Sequence, residues 1–169
     1  MSGPDSWILR FADRVPEGGR VLDLACGGGR HTRLFRARGH PVTAVDIDIA
    51  GLADLSRDPE AEVLAWDLEG RGWPLRDRQF AGVVVCNYLW RPLLPAVRDA
   101  VAPGGVLLYT TFAVGNERFG RPRNPDFLLR PGELLALLDE RFEVRAYEHG
   151  EQGDPPKACR QSVAAVRVD

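Results

Sequence analysis

The chain has 169 residues, 44% of them hydrophobic, and its 22 basic and 24 acidic side chains leave a formal net charge of −2. That length suits one domain over residues 1–169, with one core and no room for a second substrate domain. The charge balance excludes a bulk positive field for nucleic acid, no apolar run approaches the about 20 residues of a membrane span, and Cys26, Cys86 and Cys159 form neither a CxxC pair nor an even disulfide set.

The opening residues mix charge signs and polar with apolar groups, unlike a secretion signal, so a reducing, cytoplasmic setting is expected. Within 1–16, Trp7, Ile8, Phe11 and Val15 fall on one helical face, giving a packing helix that can also lid a site. Arg20–Ala25 reads as a buried strand, followed by the glycines Gly27, Gly28 and Gly29 and a helix over Arg30–His40 that Gly39 stops. Pro41–Ile47 is the second strand, Ala50–Asp58 a short helix, Ala61–Leu68 the third strand and the next ten residues a loop. Phe80–Asn87, with its run of valines, reads as a strand buried on both faces. A helix over Leu93–Val101, a Pro-Gly-Gly turn and a fifth strand over Val106–Phe112 follow. A Gly/Arg/Pro-rich loop occupies 113–130, then come a helix over Pro131–Arg141 and two closing strands separated by a hairpin-length loop. Alternating strands and helices imply an α/β fold, a doubly wound parallel sheet ending in an antiparallel strand.

Open sheets of this kind bind ligands at the carboxyl ends of their strands, where the order reverses. The three glycines lie at such an end, before a helix whose free N–H groups suit a carboxylate or phosphate. Acids close three neighbouring strands. Asp46 follows Gly27 by nineteen residues, where a carboxylate accepts ribose hydroxyls. Asp67, between Trp66 and Leu68, is placed to accept an adenine amino group. Asp23 precedes the glycines, and its charge repels a pyrophosphate but suits an ammonium or sulfonium. A dinucleotide site wants a third glycine where Thr32 stands.

The ordered set "VLDLACGGG", "VTAVDID", "LAWDL", "FAGVVVCNYL" and "VAPGGVLLYTTF" resembles the motifs of a class I S-adenosylmethionine-dependent methyltransferase, with Ala25 replacing the first glycine of D-x-G-x-G-x-G. The small size loosely resembles small-molecule enzymes of the tellurite-resistance and thiopurine type. The resemblance implies a Rossmann-like seven-stranded sheet, order 3-2-1-4-5-7-6 with strand 7 antiparallel, and S-adenosylmethionine as methyl donor with S-adenosylhomocysteine as product. It places Asp23, Ala25, Cys26, Gly27 and Gly29 along the methionine part. Asp46 and Ile47 go to the ribose, Asp67 and Leu68 to the adenine, and Cys86 beside the amino acid and methyl. Asn87 and Tyr88 become the catalytic candidates. The N-P-P-Y signature of amino methyltransferases is absent, since Tyr88 and Leu89 follow Asn87.

On the substrate side, Arg118, Arg121, Arg123 and Arg130 outnumber the acids of their loop, and Arg91 can join them. Guanidinium forks converging there suit a carboxylate or oxyanion, so a small anionic acceptor is expected, with Arg91, Arg118, Arg121 and Arg123 binding it. Methylation of a protein or RNA, and cofactor binding without catalysis, are the alternatives. No metal is expected.

Overall fold

The computed structural model describes residues 2–169. Seven strands, β1 (Val21–Leu24), β2 (Val42–Asp46), β3 (Ala61–Ala65), β4 (Phe80–Cys86), β5 (Val101–Phe112), β6 (Phe142–Gln152) and β7 (Ala158–Arg167), form one sheet in the order 3-2-1-4-5-7-6. The first five run parallel; β7 is antiparallel to both β5 and β6. This is the order and the antiparallel strand that the sequence motifs imply.

The helices are α1 (Ser6–Phe11), α2 (Arg30–Ala37), α3 (Leu68–Arg71), α4 (Leu94–Asp99) and α5 (Glu133–Leu137). On one face, α1 and α2 set Trp7, Ile8, Phe11 and Phe35 against Val84 and Leu108. On the other, α4 and α5 set Leu94, Val97 and Leu134 against Val83, Leu107 and Tyr109. Central strands covered on both sides carry apolar residues on both faces, which is why Val83, Val84 and Val85 run consecutively. Phe35 is wholly buried, and its truncation to alanine would cost about 3–5 kcal/mol.

Several elements differ from the sequence reading at their ends. The expected helix over 50–58 is a 3-10 turn, Ala50–Arg57, which buries only Leu52 and Leu55. The helix after Pro131 is limited to Glu133–Leu137. β3 stops at Ala65, and the residues read as the rest of that strand and a loop include α3, because Asp67 caps it by accepting from Glu69 N and Gly70 N. β5 begins five residues before Val106, taking in the Pro-Gly-Gly turn, with an irregular register opposite Phe80 and Gly82. The loop over 113–130 is tied down by a parallel bridge between Ala113 and Leu129 and by the short turns Asn116–Arg118 and Pro125–Phe127.

Candidate active site

The carboxyl ends of β1 to β5 converge on the bend after β1. Ala25 opens the bend with φ +53°, a left-handed conformation that explains the glycine at this place in the family motif. Gly29 has φ +85°, and a Cβ there would lie 2.3 Å from Leu52 Cδ2. Gly27 and Gly28 face open space instead, leaving the main chain accessible to a ligand.

Three cavities surround this bend. One, of about 410 Å³, is walled by Asp23, Ala25, Gly27, Gly28, Arg30, Cys86 and Asn87. A second, of about 240 Å³, lies between Asp46, Ile47, Trp66, Asp67, Leu68, Glu69 and Tyr88. A third, of about 290 Å³, is bounded by Glu69, Asn87, Tyr88, Leu89, Thr111, Phe112, Pro122 and Phe127. Ala25 belongs to the first and second, Asn87 to the first and third, Tyr88 and Glu69 to the second and third. The three therefore meet around the ends of β1 and β4.

Asp23 is buried, accepts from Thr32 Oγ1 at 2.7 Å, and has its pKa pushed up to about 6 by burial, against the lowering effect of the Thr32 hydrogen bonds. Asp46 ties the bend to β2: Oδ2 accepts from Gly27 N at 2.8 Å and Oδ1 from Asp48 N at 3.0 Å. Asp67 commits Oδ1 to the α3 cap, and no hydrogen bond engages Oδ2 among the described residues. Ile47 is 69% exposed beside this second cavity, an apolar surface that a bound ligand would cover.

Cys26 packs with Ala44, Leu52 and Leu55, and burial raises its thiol pKa far above the usual value. Burial pushes the Cys86 thiol up to about 11, and Arg30 Nη2 lies 3.4 Å from its sulfur. Asn87 has φ +57° and its N–H donates to Thr110 O, so its residue type suits the backbone bend by itself. Tyr88 is half-buried; burial raises its phenol pKa beyond reach of ordinary titration, so it stays neutral.

The loop arginines do not converge. Arg91 is occupied: Nε and Nη2 pair with Glu133 at 2.7 and 2.9 Å, and its other donors reach the carbonyls of Asp126 and Leu128. Arg118 pairs with Glu151 at 2.8 Å. Arg121 and Arg123 are exposed, flanking the Pro122 that lines the third cavity, and no hydrogen bond engages them among the described residues.

The sequence reading passed over Arg30, Glu69, Phe112 and Phe127. Arg30 Nη1 donates to Gly3 O at 3.1 Å, and Asp5 N donates to His31 Nε2 at 3.0 Å. The segment before α1 thus borders the first cavity, where Ser2 lines the wall. As an acceptor at Nε2 the His31 ring is neutral, and burial lowers its pKa to about 4.

A carboxylate beside a bare bend matches an adenosyl amino acid: Asp23 lines the first cavity with the bend, and Asp46, Trp66, Leu68 and Tyr88 line the second, a carboxylate among apolar and aromatic walls that would suit a ribose and a planar base. Both cavities lie near the size range of small-molecule sites, about 300–1,000 Å³. S-Adenosylmethionine therefore fits the residues present.

Residues 3–150 match the model of a methyltransferase domain. Malonyl-[acyl-carrier protein] O-methyltransferase of Serratia marcescens is 36% identical over 140 residues, covering 78% of this chain and 54% of that protein. The chain thus spans about half the length of this relative. TehB from Haemophilus influenzae shares the fold, with a TM-score of 0.75 and 18% identity over 100% of this chain and 64% of that one. So does the 1,6-didemethyltoxoflavin-N1-methyltransferase of Burkholderia thailandensis, solved with 1,6-didemethyltoxoflavin and S-adenosylhomocysteine, with a TM-score of 0.71 and 19% identity over 96% of this chain and 77% of that one. Motifs, strand order and matched domain together place the chain in the class I S-adenosylmethionine-dependent methyltransferase family.

Proposed function

We propose that the protein transfers a methyl group from S-adenosylmethionine to a small acceptor that enters over Tyr88, Phe112 and Phe127. The observation that carries this reading is the junction of the three cavities at Ala25, Asn87 and Tyr88. With the methionine part in the first and the adenosyl part in the second, the methyl carbon comes to the mouth of the third.

The bound sulfonium supplies an activated methyl group, and the chain's task is alignment and exclusion of water. Asp23, when ionised, offsets the donor's positive charge. Asp46 holds the ribose while it keeps Gly27 N in place, and the free Oδ2 of Asp67 takes the base. Ile47 packs beside the ribose, Leu68 beside the purine, and Cys86 beside the amino acid. Tyr88 walls both the donor and the acceptor, so its ring sets the line of attack. Glu69 is the one carboxylate on the acceptor cavity's wall among the described residues, available to an acceptor that carries a proton at working pH.

A small-molecule acceptor is in keeping with the structural neighbour solved with bound 1,6-didemethyltoxoflavin. The free cysteines fit a reducing compartment, and no helix is long and apolar enough to cross a membrane among the described residues. The test is incubation of the purified protein with methyl-labelled S-adenosylmethionine and fractionated cell extract. Label in small metabolites supports the proposal. Label in protein or RNA replaces it with a macromolecular acceptor, and binding without transfer replaces it with a non-catalytic role.

A further inference from the structure

Beneath the segment before α1, at the β5–β7 seam, lies Arg160, only 8% exposed. Among the described residues its guanidinium makes one hydrogen bond, Nη2 to Thr110 Oγ1 at 3.3 Å, and Thr110 is already engaged with Ser162 Oγ at 2.7 Å. The nearest carboxylate, Asp5 Oδ2, stands off at 3.9 Å. The guanidinium carbon lies 4.5 Å from the centre of the Phe112 ring.

A guanidinium offers five N–H donors, and a cation this buried is costly unless paired. Every fully buried side-chain nitrogen among the described residues has a partner, so the unused donors of Arg160 are those that still reach solvent. Its neighbours border both cavities, while Arg160 itself lines neither. Phe112 walls the acceptor cavity, and Thr110 is in register with Cys86, which walls the methionine cavity. Arg160 therefore lies behind the residues that wall donor and acceptor space, with its charge incompletely matched. Such a group suits a carboxylate or similar oxyanion, taken two-pronged.

We propose that Arg160 is the anion-binding residue of the acceptor site, holding a carboxylate of the small acceptor, with Asp5 as the internal carboxylate that competes for it. The proposal rests on the methyl-transfer reading above and narrows its substrate to anionic molecules, supplying the charge that the loop arginines do not bring to the cavity.

The test is calorimetry with S-adenosylhomocysteine, followed by malonate titrated into the saturated complex, with malonamide as the neutral control. Malonate should bind the complex and malonamide should not. Arg160→Gln should weaken malonate about tenfold or more, as expected for loss of a charge-assisted bond, while Arg160→Lys retains part of the affinity. Asp5→Asn keeps the α1 cap but removes the competing charge, and should tighten malonate about two- to fivefold. S-Adenosylhomocysteine affinity should stay within about twofold in all three. Absence of malonate binding to the wild-type complex overturns the proposal, as does equal binding to Arg160→Gln. Loss of S-adenosylhomocysteine affinity in Arg160→Gln instead would assign the arginine to the cofactor carboxylate. If that variant does not fold, an Asp5→Asn protein with unchanged malonate affinity overturns the proposal independently. Failure of the wild type to bind S-adenosylhomocysteine would sink the methyl-transfer reading itself, a distinct outcome.

Discussion

Thr32 donates its hydroxyl to the buried carboxylate of Asp23, Oγ1 to Oδ2 at 2.7 Å. The residue that spoils a dinucleotide fingerprint thus supports the acid proposed to face the sulfonium donor. Burial still dominates and lifts the Asp23 pKa from 3.8 to about 6. Because the folded-state value is raised, the folded protein binds more protons than the unfolded chain between about pH 4 and 6, and stability falls as pH rises through that window. Ionised Asp23 costs the unliganded protein on the order of 2–3 kcal/mol. Asp23→Asn should therefore raise the melting temperature at pH 8 and flatten the difference between pH 4 and 6. In the wild type, S-adenosylmethionine affinity should drop below pH 6, by up to about tenfold per unit, because binding must expel a proton. Calorimetry across that range checks both, and a pH-independent wild-type affinity would separate Asp23 from the donor.

Arg91 and Glu133 join the approach to α4 to the start of α5, and Arg91 also holds two carbonyls of the substrate-side loop. Both side chains are mostly buried, so removing one leaves the other charge unpaired. Arg91→Ala should lose about 1–3 kcal/mol of stability in urea unfolding, with S-adenosylhomocysteine affinity unchanged. Arg91→Ala with full stability and a raised KM would return Arg91 to direct substrate binding.

The central strands were legible because each announces itself as an apolar run with an acid or turn at its end, and the cavity bend followed from that rhythm. Their order in the sheet came only from the resemblance of the motifs to the family. What escaped was tertiary. Arg91 and Arg121 look alike in sequence, yet one is consumed by Glu133 and the other is exposed. Arg160 opens the stretch "RQSVAAV" of β7, beside the polar Gln161 and Ser162, and only the β5 register shows its place beside Phe112. Short helices were overdrawn because periodicity marks apolar faces but not the caps that end them, as at Asp67.

Asn87 and Tyr88 separate two explanations for one stretch. Asn87 occupies left-handed backbone, where glycine serves equally well. Asn87→Gly should keep kcat within about threefold, while Asn87→Ala should lose about 1–2 kcal/mol of stability. Tyr88→Phe keeps the ring that walls two cavities, so kcat should hold, whereas Tyr88→Ala should lower kcat/KM about tenfold or more. A collapse of kcat in Asn87→Gly or Tyr88→Phe would mean that the amide or the hydroxyl takes part in the chemistry.

Arg121 and Arg123 lie exposed on either side of Pro122, at the rim of the acceptor cavity and outside its wall. Charges so placed act through the field ahead of the mouth, raising the encounter rate of an anion without fixing its geometry. The double variant Arg121→Ala/Arg123→Ala should lower kcat/KM for an anionic acceptor about two- to fivefold at low salt and leave kcat unchanged. The deficit should vanish near 0.5 M salt, where the screening length falls to about 4 Å. The measurement is kcat/KM against ionic strength for wild type and variant. A salt-independent rise in KM would place the two guanidiniums in direct contact with the bound acceptor instead.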